Sequence, residues 1–305
     1  MTGMVGGTVL LAVLSGAVRS STPYLFVSLG ECLTEKSGRT NLGQEGILVL
    51  GAMVGYAGSY ETGSAWAGVL LAGFAGSALG ALHALCCQLR RVNDVAVGIA
   101  LILLGTGLAF LFGKPFIQPS APMLSALSLG WWAVDPSIRA ALRVNELFLV
   151  GIGVAVAMHL FFLRTRWGLI VRTVGGNAEA ARALGYSVNG VRLAATTAGA
   201  FLSGMGGSFL SLFYPGSWTE SLSNGQGLIA VALVIFARWQ PLRCLWAALM
   251  FGGAEAIGPA LQAIGLSEVY YVVAAAPYVL TLIIMAISCA PGRRAAGAPG
   301  ELKIA

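Results

Sequence analysis

The apolar residues of this 305-residue chain are gathered into blocks of about 20, and that grouping limits the fold more than any other feature. An α-helix of about 20 residues covers a hydrocarbon core of roughly 30 Å. Backbone N–H and C=O groups in lipid must be paired internally, which leaves helices or a closed barrel. The alternating pattern of a barrel strand is absent. The apolar segments run Met4 to Thr34, Glu45 to Tyr60, Ala65 to Leu89, Val95 to Phe112, Val144 to Leu163, Val191 to Phe213, Gly227 to Phe236, Leu242 to Ile264 and Val269 to Ser288. The sequence thus reads as an all-α, polytopic helical membrane protein. About eight to ten transmembrane segments are expected, some of them short or broken. Residues 1–305 read as one transmembrane domain, with no sign of a second soluble domain, a low-complexity tract or a long linker. The segment Gly227 to Phe236 is too short to cross alone, and it fits a half-helix buried in protein.

Composition agrees: 57% of residues are hydrophobic and 10% charged, against about 25% charged in soluble domains. The net charge of +6 could suggest nucleic acid in a soluble protein. Here the cations collect between the apolar segments, which is a topology signal. The loops at 32–43, 88–94, 164–192 and 237–243 and the tail after 289 hold fourteen Lys and Arg. The alternating set, at 61–64, 113–143, 214–224 and 265–268, holds three. The positive-inside rule therefore puts the tail and the loop at 164–192 in the cytoplasm. Arg19 fits poorly within a single 30-residue first span, because a charge at a helix centre costs on the order of 2.5–3.5 kcal/mol. A break near Pro23 is expected, with Met4 to Val18 at the outer interface or crossing at a tilt, and the side of the N-terminus stays open. No basic stretch precedes the first apolar run, so a retained first helix is expected.

Several chemistries are excluded. Cys32, Cys86, Cys87, Cys244 and Cys289 lack CxxC spacing, and His83 and His159 stand alone, so neither a metal nor a cofactor is expected. Phosphate-loop, HExxH and GxSxG motifs are absent. Glu255 is read as the one deep acid, either lining a pore or paired at a helix end. Small residues one turn apart, Gly51 and Gly55, Gly76 and Gly80, and Ala200-Ser203-Gly204-Gly207-Ser208, read as helix packing.

The polar run RTRWGLIVRTVGGNAEAARALGYSVNGVR, Arg164 to Arg192, is the most specific stretch. Asn177 suits the N-cap of a short helix Ala178 to Leu184 that Gly185 terminates. Glu179 lies in its first turn and Arg182 near its end, as the helix dipole favours. Such a helix between two spans is a rigid knob that another protein can grip. This run resembles the cytoplasmic coupling loop, with its EAA-x3-G core, of ATP-binding cassette importer permeases. The match is closest to the branch for simple sugars, nucleosides and related small metabolites. Three further blocks resemble that branch in order: GECLTEKSGRTNLGQEGILVLGA (Gly30 to Ala52), NDVAVGIALILLGTGL (Asn93 to Leu108) and SNGQGLIAVALVIFARWQPL (Ser223 to Leu242).

The resemblance implies the shorter permease of a nucleoside-type heterodimeric pair. Its expected partners are a second homologous permease, ATP-binding cassette ATPase subunits, an extracytoplasmic substrate-binding lipoprotein and the lipid bilayer of a bacterial plasma (inner) membrane, with no nucleic acid. ATP hydrolysis is expected on the partner subunits, and this chain is not expected to be an enzyme. The ATPase-coupling residues are expected to be Gly176, Asn177, Glu179, Ala180, Ala181, Arg182 and Gly185 in a coupling loop of about 164–190. Pore or structural candidates are Asn41, Glu45, Asn93, Gln226 and Glu255. In the block Ser37 to Gly46, a buried structural turn is favoured over direct substrate contact. The loop from Gly113 to Arg143, with Trp131 and Trp132, would receive the binding protein, although for those tryptophans a plain interfacial belt is the favoured reading. Ala178, Ile102, Arg39 and Thr40 depart from the branch's usual residues, which bears on the solute more than on the function. A branched-chain amino acid permease, an unpaired sugar permease and a secondary transporter are the alternatives.

Overall fold

The computed structural model describes residues 2–89, 91–135, 138–139, 142–220, 222–263, 275, 279, 283 and 298–303, the side chains of residues 2–10, 12, 263 and 303 excepted. The last apolar segment expected from the sequence, Val269 to Ser288, lies almost wholly outside these residues. Ten α-helices are seen among them: α1 (Thr2–Lys36), α2 (Gln44–Thr62), α3 (Ala65–Cys86), α4 (Asp94–Gly113), α5 (Glu146–Arg164), α6 (Arg166–Gly176), α7 (Ala178–Ala183), α8 (Val188–Leu212), α9 (Gln226–Phe236) and α10 (Pro241–Ala263). The molecule is an all-α membrane protein. Among the described residues, four stretches are long and apolar enough to cross a membrane by length and composition: Ala65–Cys86, Asp94–Phe116, Glu146–Arg164 and Pro241–Gln262. Helices α1, α2 and α8 are as long but carry more polar and small residues, because their faces meet protein. Ser28, Glu31, Thr34, Thr196, Ser203 and Ser208 are all fully buried.

Helix α8 is the hub. Its small residues admit three neighbours at backbone distance: a β-carbon on Gly199 would meet the Gly30 carbonyl of α1 at 2.3 Å, and one on Gly204 would meet the Ala72 carbonyl of α3 at 2.2 Å. Helix α2 approaches at Gly51 beside Gly204 and at Gly55 beside Ser208. The small residues that the sequence marks as packing positions therefore do that work. In lipid no hydrophobic effect drives helices together, so association rests on such close van der Waals contact.

The expected break at Pro23 does not occur. Helix α1 runs unbroken for 35 residues with Pro23 inside it, about 52 Å at the usual rise. Packing supports the helix through the proline: Gly206 of α8 lies against this turn, and the Ser21 and Thr22 hydroxyls donate to the Val18 carbonyl. Membrane helices tolerate proline where neighbours and hydroxyls support the backbone. The length also removes the difficulty with Arg19, which sits beyond the middle of the bundle, 5.1 Å from the Tyr214 ring centroid just past the end of α8.

The stretch between α4 and α5 is not wholly irregular. Ala126–Ser128 and Arg143–Asn145 pair antiparallel, with Leu127 opposite Val144, as a small ribbon at the end remote from Lys36. The Tyr56 hydroxyl donates to the Pro119 carbonyl and that of Ser59 to Pro122, fastening this cover to α2. Trp131 and Trp132 are exposed upon it. We expect Gly204→Val to destabilise the α2–α3–α8 junction by about 1–3 kcal/mol, the usual penalty of overpacking. Gly107→Ala, where nothing lies within 4 Å, should be neutral. Thermal unfolding of the detergent-solubilised protein, read by the loss of monodisperse material, distinguishes the two.

Candidate functional site

Two groups of polar residues stand out against the apolar bundle. The first surrounds the start of α9. After α8 the chain doubles back into the bundle as non-helical backbone. Gly113, at the far end of α4, lies against Trp218, and Gly225 reaches Glu45 in the first turn of α2. Helix α9 then runs only 11 residues, a half-helix of about 16 Å. Its first N–H groups would be orphaned in an apolar setting. Glu45 satisfies them, since its carboxylate accepts from the Gly225 N–H at 3.0 Å, the Gly227 N–H at 2.7 Å and the Ser223 hydroxyl. The negative charge also suits the positive end of the helix dipole. Gln226 donates to Glu255 of α10 at 3.1 Å, while its own Oε1 is buried without a partner. Thus Glu45, Gln226 and Glu255, singled out separately in the sequence, fall into one cluster.

Asn41 and Asn93 lie elsewhere. Asn41 is fully buried in the turn between α1 and α2. Its N–H donates to Glu31 at 2.7 Å, and its Oδ1 accepts from the Gly43 N–H at 2.9 Å. Asn93 is exposed and caps α4, accepting from the Val95 N–H at 2.7 Å. The sequence reading missed Glu31 and Glu35. Both are buried in α1, Glu31 accepting from Gln44 and Glu35 from the Trp239 indole. Their signal was available: four residues apart in GECLTEK, they share one helix face that continues the apolar run. Glu255 is therefore not the one deep acid. Arg39, a departure from the branch's usual residue, pairs with Asp94 at 2.5 Å and donates to the Cys87 carbonyl at 2.6 Å, joining the α1–α2 turn to the α3–α4 turn.

The second group is the projection formed by α6 and α7, at the same end of the bundle as Lys36. Thr165 caps α6, accepting from the Gly168 N–H at 3.0 Å. Asn177 ends α6 and caps α7, its Oδ1 accepting from the Ala180 N–H at 2.9 Å. Helix α7 ends at Ala183, one residue short of the expected Leu184. Its C-terminus closes with paired bonds from the Tyr186 N–H to the Ala181 carbonyl and from the Gly185 N–H to the Arg182 carbonyl. This Schellman closure requires a left-handed residue, and Gly185 supplies it at φ +84°. Ala178 and Ala181 are buried with Val174 and Val188 in a small core of their own. Gly176, Glu179, Ala180, Arg182 and Gly185 are exposed. Leu184 and Tyr186 are also exposed, Leu184 by 68%, and neither is among the coupling residues expected from the sequence. Beside the projection, Trp167, Ile170, Tyr186, Val191 and Ala194 line an apolar cavity of about 590 Å³.

The Gly300–Lys303 turn packs here too. Glu301 Oε1 accepts from the Ala178 N–H at 2.9 Å, and its Oε2 pairs with Arg192 at 3.0 Å. Partial burial pushes this carboxyl up, but the Ala178 N–H and the Arg192 guanidinium outweigh it. The result lies below the usual carboxylate range, so Glu301 is ionised at neutral pH. Among the described residues no group of three His, Cys, Asp or Glu side chains is placed to hold a metal.

Residues 13–288 match the family model described as branched-chain amino acid transport system / permease component. A Haloferax volcanii protein named as a candidate glucose ABC transporter permease is 33% identical over 260 residues, covering 84% of this chain and 79% of its own. The nucleoside ABC transporter permease of Lactococcus lactis subsp. cremoris is 28% identical over 285 residues, covering 88% and 89%. The guanosine ABC transporter permease of Bacillus subtilis is 27% identical over 319 aligned positions, covering 95% and 97%.

We expect Glu45→Ala to strand the donors of Ser223, Gly225 and Gly227 at about 1–3 kcal/mol for each one left unpaired. Glu45→Gln, which keeps one acceptor oxygen, should lose less. Thermal stability of the purified protein should rank wild type above Gln above Ala.

Proposed function

We propose, because the chain belongs to the family of branched-chain amino acid transport system permease components, that it forms half of the pore of an ATP-driven importer for a simple sugar or nucleoside. It is a multi-pass permease subunit of the ABC importer class, of the branch with sugar and nucleoside permeases. Relatives named for glucose, nucleoside and guanosine transport favour such solutes over branched-chain amino acids. On this reading a bacterial inner membrane holds the chain with the Arg164–Arg192 end and the Gly300–Lys303 turn in the cytoplasm. Its partners are ATPase subunits, a second homologous permease in a heterodimer and an extracytoplasmic substrate-binding lipoprotein. A secondary transporter would take up solute without ATPase subunits, and uptake assays separate the two.

The observation that carries the reading is the capped helix α7, held on its own small core with Glu179, Arg182 and Leu184 facing outward. A rigid six-residue helix with both ends closed can receive a push without unwinding. It leads through Gly185 and Tyr186 to Ser187, the N-cap of α8, and α8 is the helix on which α1, α2 and α3 pack. Closure of an ATPase dimer against α7 would therefore rock the bundle's hub and open the pore alternately to each side. Asn177, Ala181 and Gly185 shape the knob, and Glu179, Ala180 and Arg182 supply its contact face. Within the bundle, Gln226 Oε1 and the Glu255 carboxylate are acceptors for a hydroxyl-bearing solute, while Glu45 fixes the half-helix that presents them.

Replacing Glu179 or Gly185 with a bulky or charged residue should abolish ATP-coupled uptake and leave membrane insertion intact. At Gly185 the cause is backbone strain, since nothing lies within 4 Å of its missing β-carbon. Normal uptake by such variants in vesicles would overturn the coupling assignment. Gln226→Ala should raise the KM for solute with little change in ATPase binding. An unchanged KM would remove Gln226 from the solute path.

A further inference from the structure

The Gly300–Lys303 turn lies more than a hundred residues from α7 in sequence, yet it meets that helix at its first N–H. Three bonds run through one carboxylate and one guanidinium. Ala178 N–H donates to Glu301, Glu301 pairs with Arg192 one turn into α8, and Arg192 Nε donates to the Ser37 carbonyl just past α1 at 3.2 Å. The ends of α7, α8 and α1 are thereby tied together at one point.

The surrounding backbone is fitted to this arrangement. A β-carbon on Gly300 would lie 2.2 Å from the Gly176 carbonyl, and one on Gly38, at φ +84°, would lie 2.9 Å from Glu301 Cβ. Gly175 sits equally close to the Lys36 carbonyl, 2.2 Å from where its β-carbon would be. Ala298 and Leu302, on either side of Glu301, pack against the apolar core, so the turn is seated at both ends. Arg192 is itself largely buried, and a buried guanidinium left without its carboxylate is costly.

We propose that this turn is a strut, and that Glu301 is a positioning residue for coupling: it makes α7 move together with α1 and α8 when α7 is pushed. The proposal rests on the reading of α7 as the ATPase docking helix. Without the strut, α7 is joined to α8 only by the Gly185–Ser187 link and the small core it shares with Val188, and to α5 through α6. A push on it could then be absorbed locally. With the strut, the displacement reaches α1 and α8 directly. Coupling of this kind needs a contiguous physical connection between the two sites.

The test uses the whole transporter in proteoliposomes, with its ATPase subunits and binding protein, and measures solute taken up per ATP hydrolysed. Glu301→Ala should leave the ATPase subunits co-purifying with the permease. Uptake per ATP should fall at least about five-fold, the lower range of a coupling between sites. Glu301→Gln keeps an acceptor for Ala178 N–H without the charge and should fall between. Gly300→Val, which unseats the turn without touching the carboxylate, should reproduce the alanine result. An unchanged ratio in Glu301→Ala would overturn the strut, and so would loss of the ATPase subunits from that variant, which would make Glu301 part of the docking face. Failure of the docking reading is seen separately, as ATPase subunits that remain bound and coupled in the Glu179 and Gly185 variants.

Discussion

Backbone-to-backbone contact along α8 is the constraint on which the rest of the structure depends. In lipid the hydrophobic effect does not separate a helix from its surroundings, so helices associate by fitting closely. Gly199 against Gly30, Gly204 against Ala72 and Gly51, and Ser208 against Gly55 allow three helices to approach a fourth with no side chain larger than serine or alanine between them. Because α8 begins immediately after the α6–α7 projection, the helix that organises the bundle is also the one nearest the candidate docking knob. A local push thus meets a helix against which α1, α2 and α3 all pack.

The second constraint is the satisfaction of polar groups where water is scarce. The half-helix α9 and the non-helical turns at 37–43 and 213–225 leave backbone donors inside the bundle. Carboxylates answer several of them, Glu45 for Gly225 and Gly227 at the start of α9 and Glu31 for Asn41, and Glu301 does the same for the start of α7 on the projection. These acids are therefore structural first. Irregular backbone at membrane depth is tolerated only where protein pairs it, and here the pairing also fixes where Gln226 and Glu255 lie.

Much of this was legible from the chain. The apolar blocks gave helices α2, α3, α4, α5 and α10 to within a few residues. The Asn177 cap and the Gly185 stop gave α7, because caps are local chemistry written in consecutive residues. Pro23 misled, since its penalty is local while the support that overcomes it comes from α8. Arg19 misled for a related reason: a window of hydropathy assumes that a span ends where the membrane does, and α1 is longer than that. Glu31 and Glu35 escaped notice because they sit beside a positively charged turn, where the sequence suggests solvent and the fold supplies burial.

What the sequence by itself determined was the class of molecule, the helical segments and the capped knob, all of which follow from hydropathy and from contacts within a few residues. The tertiary structure decided which polar groups meet. Glu45 reaches Gly225 and Gly227, Gln226 reaches Glu255, and Glu301 reaches both Ala178 and Arg192, across separations from 29 to 182 residues. Such partners cannot be read along the chain, because the helices between them can be arranged in many ways and close packing at α8 selects one.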